Sequence, residues 1–225
     1  MADTRRVPHD LVLEVVEIDS CGDLSKTLRL KTQKGDVSCC YFPVSNASSS
    51  VLWVGGIENS QGTPIQVLFE DSAKVLTGKG IASLQVDFRN SGEFEDSEHD
   101  VEAGLSYLYR EGFRSVALVG HSFGGAVVIR VATRVSMVRT VVTLASQSSG
   151  ADGVADLGVD CSILLLHGTD DPIVPHGCSQ YLHELAQAEK KLLLCPGADH
   201  FFEPLGEIVQ QRIREWIVRE LNPDH

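Results

Sequence analysis

Gly120-His121-Ser122-Phe123-Gly124 fits the pattern G-x-S-x-G. The apolar run Val116 to Val119 precedes it, and an apolar helical pattern from Gly125 to Val135 follows. A short run that is apolar at every residue suits a strand buried on both faces, so the order is strand, sharp turn, helix. A serine on such a strained turn has its hydroxyl pushed out of the sheet toward substrate. The flanking positions must be small, because backbone passes close by. The chemistry indicated is nucleophilic attack by Ser122; without its context the pattern would be a plain Gly-Ser loop.

A serine hydroxyl is a weak nucleophile at neutral pH and needs a base, which in turn needs a third group to fix its tautomer. The chain has eight histidines. His9 and His225 lie near the termini, His183 within a helical stretch, His99 in an acidic segment and His176 in the loop after Pro175. His167 reads as a turn residue at a strand end, and His121, directly before the serine, is expected to point away from it. His200 is the best placed: it follows a strand by a few residues, in a loop with Gly197, and precedes the last helix. The order nucleophile, acid, histidine requires a carboxylate after the penultimate strand, where Asp170 and Asp171 both stand. Charge developing on a carbonyl oxygen needs donors fixed in advance. The Phe123 N–H, at the first turn of its helix, is one candidate. The Ile57 N–H, after Gly55-Gly56, is the other.

These residues need a scaffold that brings strand ends together, and the periodicity supplies one. Leu11 to Ile18 reads as a first strand, and Thr27 to Lys31 with Val37 to Phe42 as a hairpin around Lys34-Gly35-Asp36. Val51 to Val54, Ile81 to Phe88, the elbow strand, Thr140 to Ala145, Cys161 to Leu166 and Leu192 to Cys195 follow as further strands. Helices are predicted over Pro64–Leu76, Val101–Arg110, Ser179–Ala188 and about Pro204–Leu221. The acidic segment Glu93–Asp100 is expected to be mostly solvated, ahead of a helix start. The alternation predicts an α/β fold: a mostly parallel central sheet with an antiparallel N-terminal edge and helices on both faces. In such sheets ligands bind at the carboxyl ends of the strands, where Gly56-Ile57, Ser122, Asp171 and His200 all fall.

At 225 residues one domain is the default, with residues 1–10 as a flexible tail. A net charge of −12 argues against nucleic acid or an anionic membrane as partner and admits small neutral or cationic substrates. The six cysteines, at 21, 39, 40, 161, 178 and 195, match neither a zinc site nor a disulfide framework. They read as buried free thiols of a reducing compartment. The N-terminus has no signal-like apolar core, so a cytoplasmic protein is expected.

Gly-His-Ser-Phe-Gly-Gly, His-Gly-Thr-Asp-Asp-Pro-Ile-Val-Pro and Gly-Ala-Asp-His-Phe-Phe together resemble the three signature segments of the α/β-hydrolase superfamily, over roughly residues 25 to 221. The last is most similar to small serine hydrolases near the dienelactone-hydrolase and acyl-peptidase-like branches. The resemblance implies a Ser122, Asp171, His200 triad with no metal or organic cofactor. Asp171 is preferred to Asp170 because the family acid stands four places after the histidine of His-Gly. Dienelactone hydrolases proper carry cysteine at the nucleophile, so their specific reaction does not transfer. The family's usual His-Gly at the oxyanion strand is Gly55-Gly56 here, and Asn90 replaces a turn glycine, where it is expected to take a left-handed backbone conformation. Gln147 to Asp160 is too short for a helical lid. The site should therefore be exposed, with Ile57, Glu58, Phe123, Gln147 and Ile173 as its nearest walls.

Two readings follow. One is a hydrolase of carboxylic esters, thioesters or amides of small acyl groups, with acyltransfer to another acceptor as a variant. The other is a non-catalytic binding protein or receptor on the same scaffold.

Overall fold

Alternating side chains of the central strands feed two separate apolar layers, one on each face of a single sheet. This computed structural model describes residues 5–22, 24–57 and 62–221. In chain order the elements begin with β1 (Val12–Gly22), β2 (Ser25–Thr32), β3 (Gly35–Phe42), β4 (Ser49–Val54), α1 (Pro64–Thr77) and β5 (Ala82–Val86). They continue with α2 (Phe94–Arg110), β6 (Ser115–His121), α3 (Phe123–Ala132), β7 (Val138–Leu144), β8 (Ser162–Gly168), α4 (Gly177–Leu185), β9 (Lys190–Cys195) and α5 (Gly206–Leu221). Among the described residues the nine strands run in the order β1-β2-β3-β5-β4-β6-β7-β8-β9. β1, β2, β3 and β5 pair antiparallel; the pairs from β5 through β9 are parallel. The predicted sheet, with its antiparallel N-terminal edge, is the one observed.

Burial on both faces explains why the central strands read as unbroken apolar runs. In β4, Leu52 and Val54 join the layer that holds α2 and α3, while Val51 and Trp53 join the layer under α1 and α5. In β6, Val116 and Leu118 face the first layer and Ala117 and Val119 the second. Trp53, wholly buried, packs on Phe69 of α1 with ring centroids 5.1 Å apart. Thr63 caps α1 through its side chain on the Gln66 N–H, and Pro64 occupies the first turn, where its missing N–H is no loss.

The helix expected over Val101–Arg110 begins earlier, at Phe94, and absorbs the acidic segment. Glu95 and Asp96 sit in its first turn, where negative charge complements the helix dipole. Glu98 and Asp100 are not solvated but buried. Glu98 pairs with Arg130 and, at 2.6 Å, with Arg134, both distant in sequence. Asp100 accepts from Arg89 Nε at 2.6 Å and Arg89 N at 2.9 Å. These arginines make burial of the two carboxylates tolerable, which a local reading of charge could not show.

Three smaller expectations also differ. Asn90 does not take a positive φ; Gly92, at φ 101°, makes that turn, and the Asn90 side chain donates to Asp96 Oδ2 at 3.1 Å. Residues 5–10 are not wholly a free tail, because Arg6 bridges to Val135, donating to Arg134 O at 2.8 Å and accepting from Ser136 N at 2.9 Å. Of the five cysteines whose side chains are described, only Cys39 and Cys161 are buried; Cys40, Cys178 and Cys195 are partly exposed. After β7 the chain forms only a short 3-10 turn, Asp152–Asp156, before β8, and among the described residues no lid covers the strand ends. No helix among the described residues is long and apolar enough to cross a membrane.

Candidate active site

Ser122 stands between the end of β6 and the start of α3 with φ 55° and ψ −119°. A non-glycine residue there is strained by about 1–3 kcal/mol, and such strain persists only where the surroundings over-determine it. The Ser122 N–H donates to Leu144 O at 2.8 Å, tying the turn to β7. The packing explains the small residues of the motif: a Cβ on Gly124 would run into the carbonyl oxygen of Gly55, backbone that cannot give way. Gly124→Ala is therefore expected to cost about 3 kcal/mol, read as a lowered urea midpoint at unchanged m-value.

The acid and the histidine arrive from the ends of β8 and β9. Gly168 lets β8 lie against the carbonyls of Ala198 and Asp199, where any Cβ would overlap backbone, and this brings the two loops together. Asp171, its side chain fully shielded from solvent, accepts His200 Nδ1 at 2.7 Å through Oδ2. Its Oδ1 accepts the Ile173 and Val174 N–H groups, each at 2.8 Å. Burial alone would push the Asp171 carboxyl up; the donors from His200, Val174 and Ile173 outweigh it and hold the group below the usual carboxylate range. Asp170 instead accepts from the Thr169 hydroxyl at 2.9 Å on the surface, so the geometry separates the two neighbours that the residues alone left open.

His121 does not point away from the site. Its ring is buried, lines the same cleft as Ser122, and lies 4.6 Å from the His200 ring, centroid to centroid. Its Nε2 donates to the His200 carbonyl at 3.0 Å, because a carbonyl can only accept. Burial, with His200 beside it, drives its pKa down to about 3. His167, expected to shape the turn, does so by donating Nε2–H to Val174 O at 2.9 Å, and it also comes within 3.2 Å of Asp171 Oδ2.

These buried neutral histidines make stability pH-dependent, with a fixed sign. His121 titrates near 6.5 when unfolded and near 3 when folded, and burial lowers His167 as well. Their contribution is complete above pH 6.5 and is lost as pH falls below it, because the unfolded chain then binds protons that the native one refuses. Between pH 6.5 and 5, the unfolding free energy is expected to fall by up to about 1.4 kcal/mol per pH unit from His121, with His167 adding in the same direction. Urea melts across that window check it, and His121→Asn should flatten the slope.

A cleft of about 260 Å³ opens over these groups, lined by Gly56, Ile57, His121, Ser122, Ile173, His200 and Phe201. Ile57 and Ile173 are there as expected, both exposed. Phe201, not foreseen, forms a wall with its ring 5.3 Å from that of His200; its place directly after His200 was the available signal. Gln147 does not line the cleft, since its side chain turns back onto Ser149 O at 3.0 Å. The Phe123 side chain belongs to the core, packed on Phe94 and Phe88 with centroids 4.8 and 6.0 Å apart, and only its backbone faces the elbow. As the first residue of α3, Phe123 has an N–H that the helix leaves unpaired. Glu58 lies outside the described residues.

Comparison with known proteins agrees with this arrangement. Est1E from Butyrivibrio proteoclasticus superposes with a TM-score of 0.75 at 14% identity, covering 86% of this chain and 98% of that one. XC6422 from Xanthomonas campestris, described as an α/β serine hydrolase without a lid, gives 0.72 at 18% identity over 91% and 99%. A dienelactone hydrolase from Anabaena variabilis gives 0.69 at 21% over 88% and 98%. These likenesses establish the fold. In sequence, 66 residues are 32% identical to the uncharacterized protein YfhR of Escherichia coli K12, a stretch that spans 28% of this chain and only 23% of YfhR. The model of the dienelactone hydrolase family matches residues 86–213, more than half of the chain and the part that carries Ser122, Asp171 and His200, so the chain belongs to that family.

Proposed function

We propose that this protein is a serine hydrolase that cleaves carboxylic esters of small acyl groups, with thioesters and amides as related substrates, through an acyl-enzyme on Ser122. The observation that carries the reading is the 2.7 Å bond from His200 Nδ1 to Asp171 Oδ2 at the wall of the cleft that Ser122 lines. With Nδ1 donating, Nε2 of a neutral His200 is left with its lone pair, the state that can take the serine proton.

In this account Ser122 Oγ adds to the ester carbonyl as His200 Nε2 takes its proton. The Phe123 and Ile57 N–H groups hold the oxyanion. His200 returns the proton to the departing alcohol, and Asp171 keeps the imidazolium oriented without itself being protonated. Water then attacks the acyl-enzyme with His200 as base and restores the serine. The half-exposed Ile57 and Ile173 at the mouth, with no lid above them among the described residues, favour small or protruding acyl groups over long chains. We further propose a cytoplasmic, single-domain hydrolase acting on a small-molecule ester.

Charge narrows the substrate further. Beyond Phe201 a groove of about 740 Å³ continues the surface, and Glu203 and Glu207 line it together with Val67, Leu68 and Pro204. A substrate carrying a carboxylate would approach these two acids, whereas a neutral or cationic one would not be repelled. With p-nitrophenyl esters, acetate and butyrate should be turned over faster than octanoate. A carboxylate-ended acyl group should show kcat/KM about 10-fold below that of its methyl-ended counterpart, a modest exposed like-charge penalty. Equal rates across chain length and charge would contradict the small-substrate reading.

A further inference from the structure

We propose that His167, which the hydrolytic steps above do not use, is a positioning residue that holds the Asp171 carboxylate against His200. It rests on the hydrolase reading and adds a fourth side chain to its machinery.

The geometry fixes the role of each ring nitrogen. His167 Nε2 is 2.9 Å from Val174 O and 3.2 Å from Asp171 Oδ2. A carbonyl and an ionised carboxylate only accept, so Nε2 carries the proton and points it between them. Nδ1 lies 2.7 Å from Ser179 Oγ on α4. Burial lowers the pKa of this ring, with the Val174 carbonyl and Asp171 pulling the other way, so the neutral form is the one present. In a neutral ring with Nε2–H, Nδ1 accepts, and the Ser179 hydroxyl donates to it. Ser179 and His167 are both fully buried.

The consequence lies at Asp171. Its Oδ1 is held by two backbone N–H groups, and its Oδ2 receives His200 Nδ1–H with His167 Nε2 standing 3.2 Å away. A carboxylate has about four lone-pair sites; three accept hydrogen bonds here, and the His167 Nε2–H lies beside the fourth. Val174 closes the brace: its N–H donates to Asp171, and its carbonyl accepts from His167. Without the ring, Oδ2 keeps only His200 as partner, and the segment from Asp171 to Val174 loses its tie to β8.

Other titratable groups around the pair do not mimic the effect. His121, from β6, faces His200 but stays neutral down to about 3. Asp199, one residue before His200, is engaged with the Phe201 and Glu203 N–H groups at 2.9 and 3.0 Å. Asp170 is turned to Thr169 on the surface.

The test uses the full chain with p-nitrophenyl acetate, comparing wild type, His167→Leu, His167→Gln and Ser179→Ala. Leucine removes the donor, and glutamine can put an amide N–H where Nε2 was. For His167→Leu, kcat should fall about 10- to 100-fold, the size usual for supports of a functional group, with KM changed less than about twofold. The acidic limb of the kcat/KM profile should move to lower pH, because a carboxylate free to turn stabilises the imidazolium less. Glutamine should recover most of both. If His167→Leu does not fold, Ser179→Ala carries the test, with a smaller change in the same direction. An acidic limb that stays in place or moves up in a folded variant overturns the role, as does an unchanged kcat. Loss of turnover in Ser122→Ala alongside an unaltered His167→Leu would sink this inference alone. Turnover that survives Ser122→Ala would sink the hydrolase reading beneath it.

Discussion

Asp171→Asn is expected to lower kcat for ester hydrolysis about 10⁴-fold, the scale on which a wrong histidine tautomer acts, while Asp170→Asn stays within about twofold of wild type. Local geometry makes the first result severe. The Ile173 and Val174 N–H groups both donate to Oδ1 at 2.8 Å. An asparagine must therefore place its carbonyl oxygen there and turn its NH₂ toward His200. Facing a donor, Nδ1 of His200 becomes the acceptor, and the ring proton moves to Nε2, where it blocks uptake of the serine proton. The substitution is nearly isosteric, so circular dichroism should be unchanged while steady-state turnover collapses. Comparable loss in Asp170→Asn would mean the wrong neighbour has been assigned. The 2.7 Å bond to His200 belongs to Asp171, while the Asp170 carboxylate accepts from the Thr169 hydroxyl.

Ser122→Ala is expected to remove turnover by about 10⁴-fold or more, leaving only what the oxyanion donors and substrate binding provide. The fold should survive, because alanine meets the same backbone constraint at φ 55° and no hydrogen bond of the Ser122 side chain to a described residue is lost. Ser122→Gly separates the two roles of the position. Glycine reaches this backbone region freely, so the glycine variant should be about 1–2 kcal/mol more stable than the alanine one by urea denaturation and equally inactive. Equal stability of the two variants would mean that the elbow stores no strain.

The part of this site that was legible in the sequence is the part encoded by chain order and local context. Ser122 is marked by an apolar strand, a Gly-bounded turn and a helix within a dozen or so residues. His200 and Asp171 are marked by following strands in the order that places them at one end of the sheet. The alternation of strand and helix is likewise local, which is why the sheet and its antiparallel edge could be anticipated. What escaped depends on partners far along the chain. Next to a residue that faces the site, His121 reads as facing away; the His200 carbonyl, 79 residues on, turns its ring inward. His167 contacts the acid because the turn from Asp171 to Val174 folds back beneath the end of β8. The acids Glu98 and Asp100 look like surface residues until Arg130, Arg134 and Arg89 are placed beside them. Gln147 reads as a cleft residue from its position after β7, yet a hydrogen bond to Ser149 O, two residues on, turns its side chain elsewhere.

The most direct measurement is the site of covalent modification by a fluorophosphonate, which reacts with a serine only where a base activates it. The native protein should gain one adduct, mapped by peptide mass spectrometry to Ser122, with labelling abolished in Ser122→Ala and strongly slowed in Asp171→Asn. A native protein that stays unlabelled while folded, or an adduct that persists on another residue when Ser122 is alanine, would contradict the account.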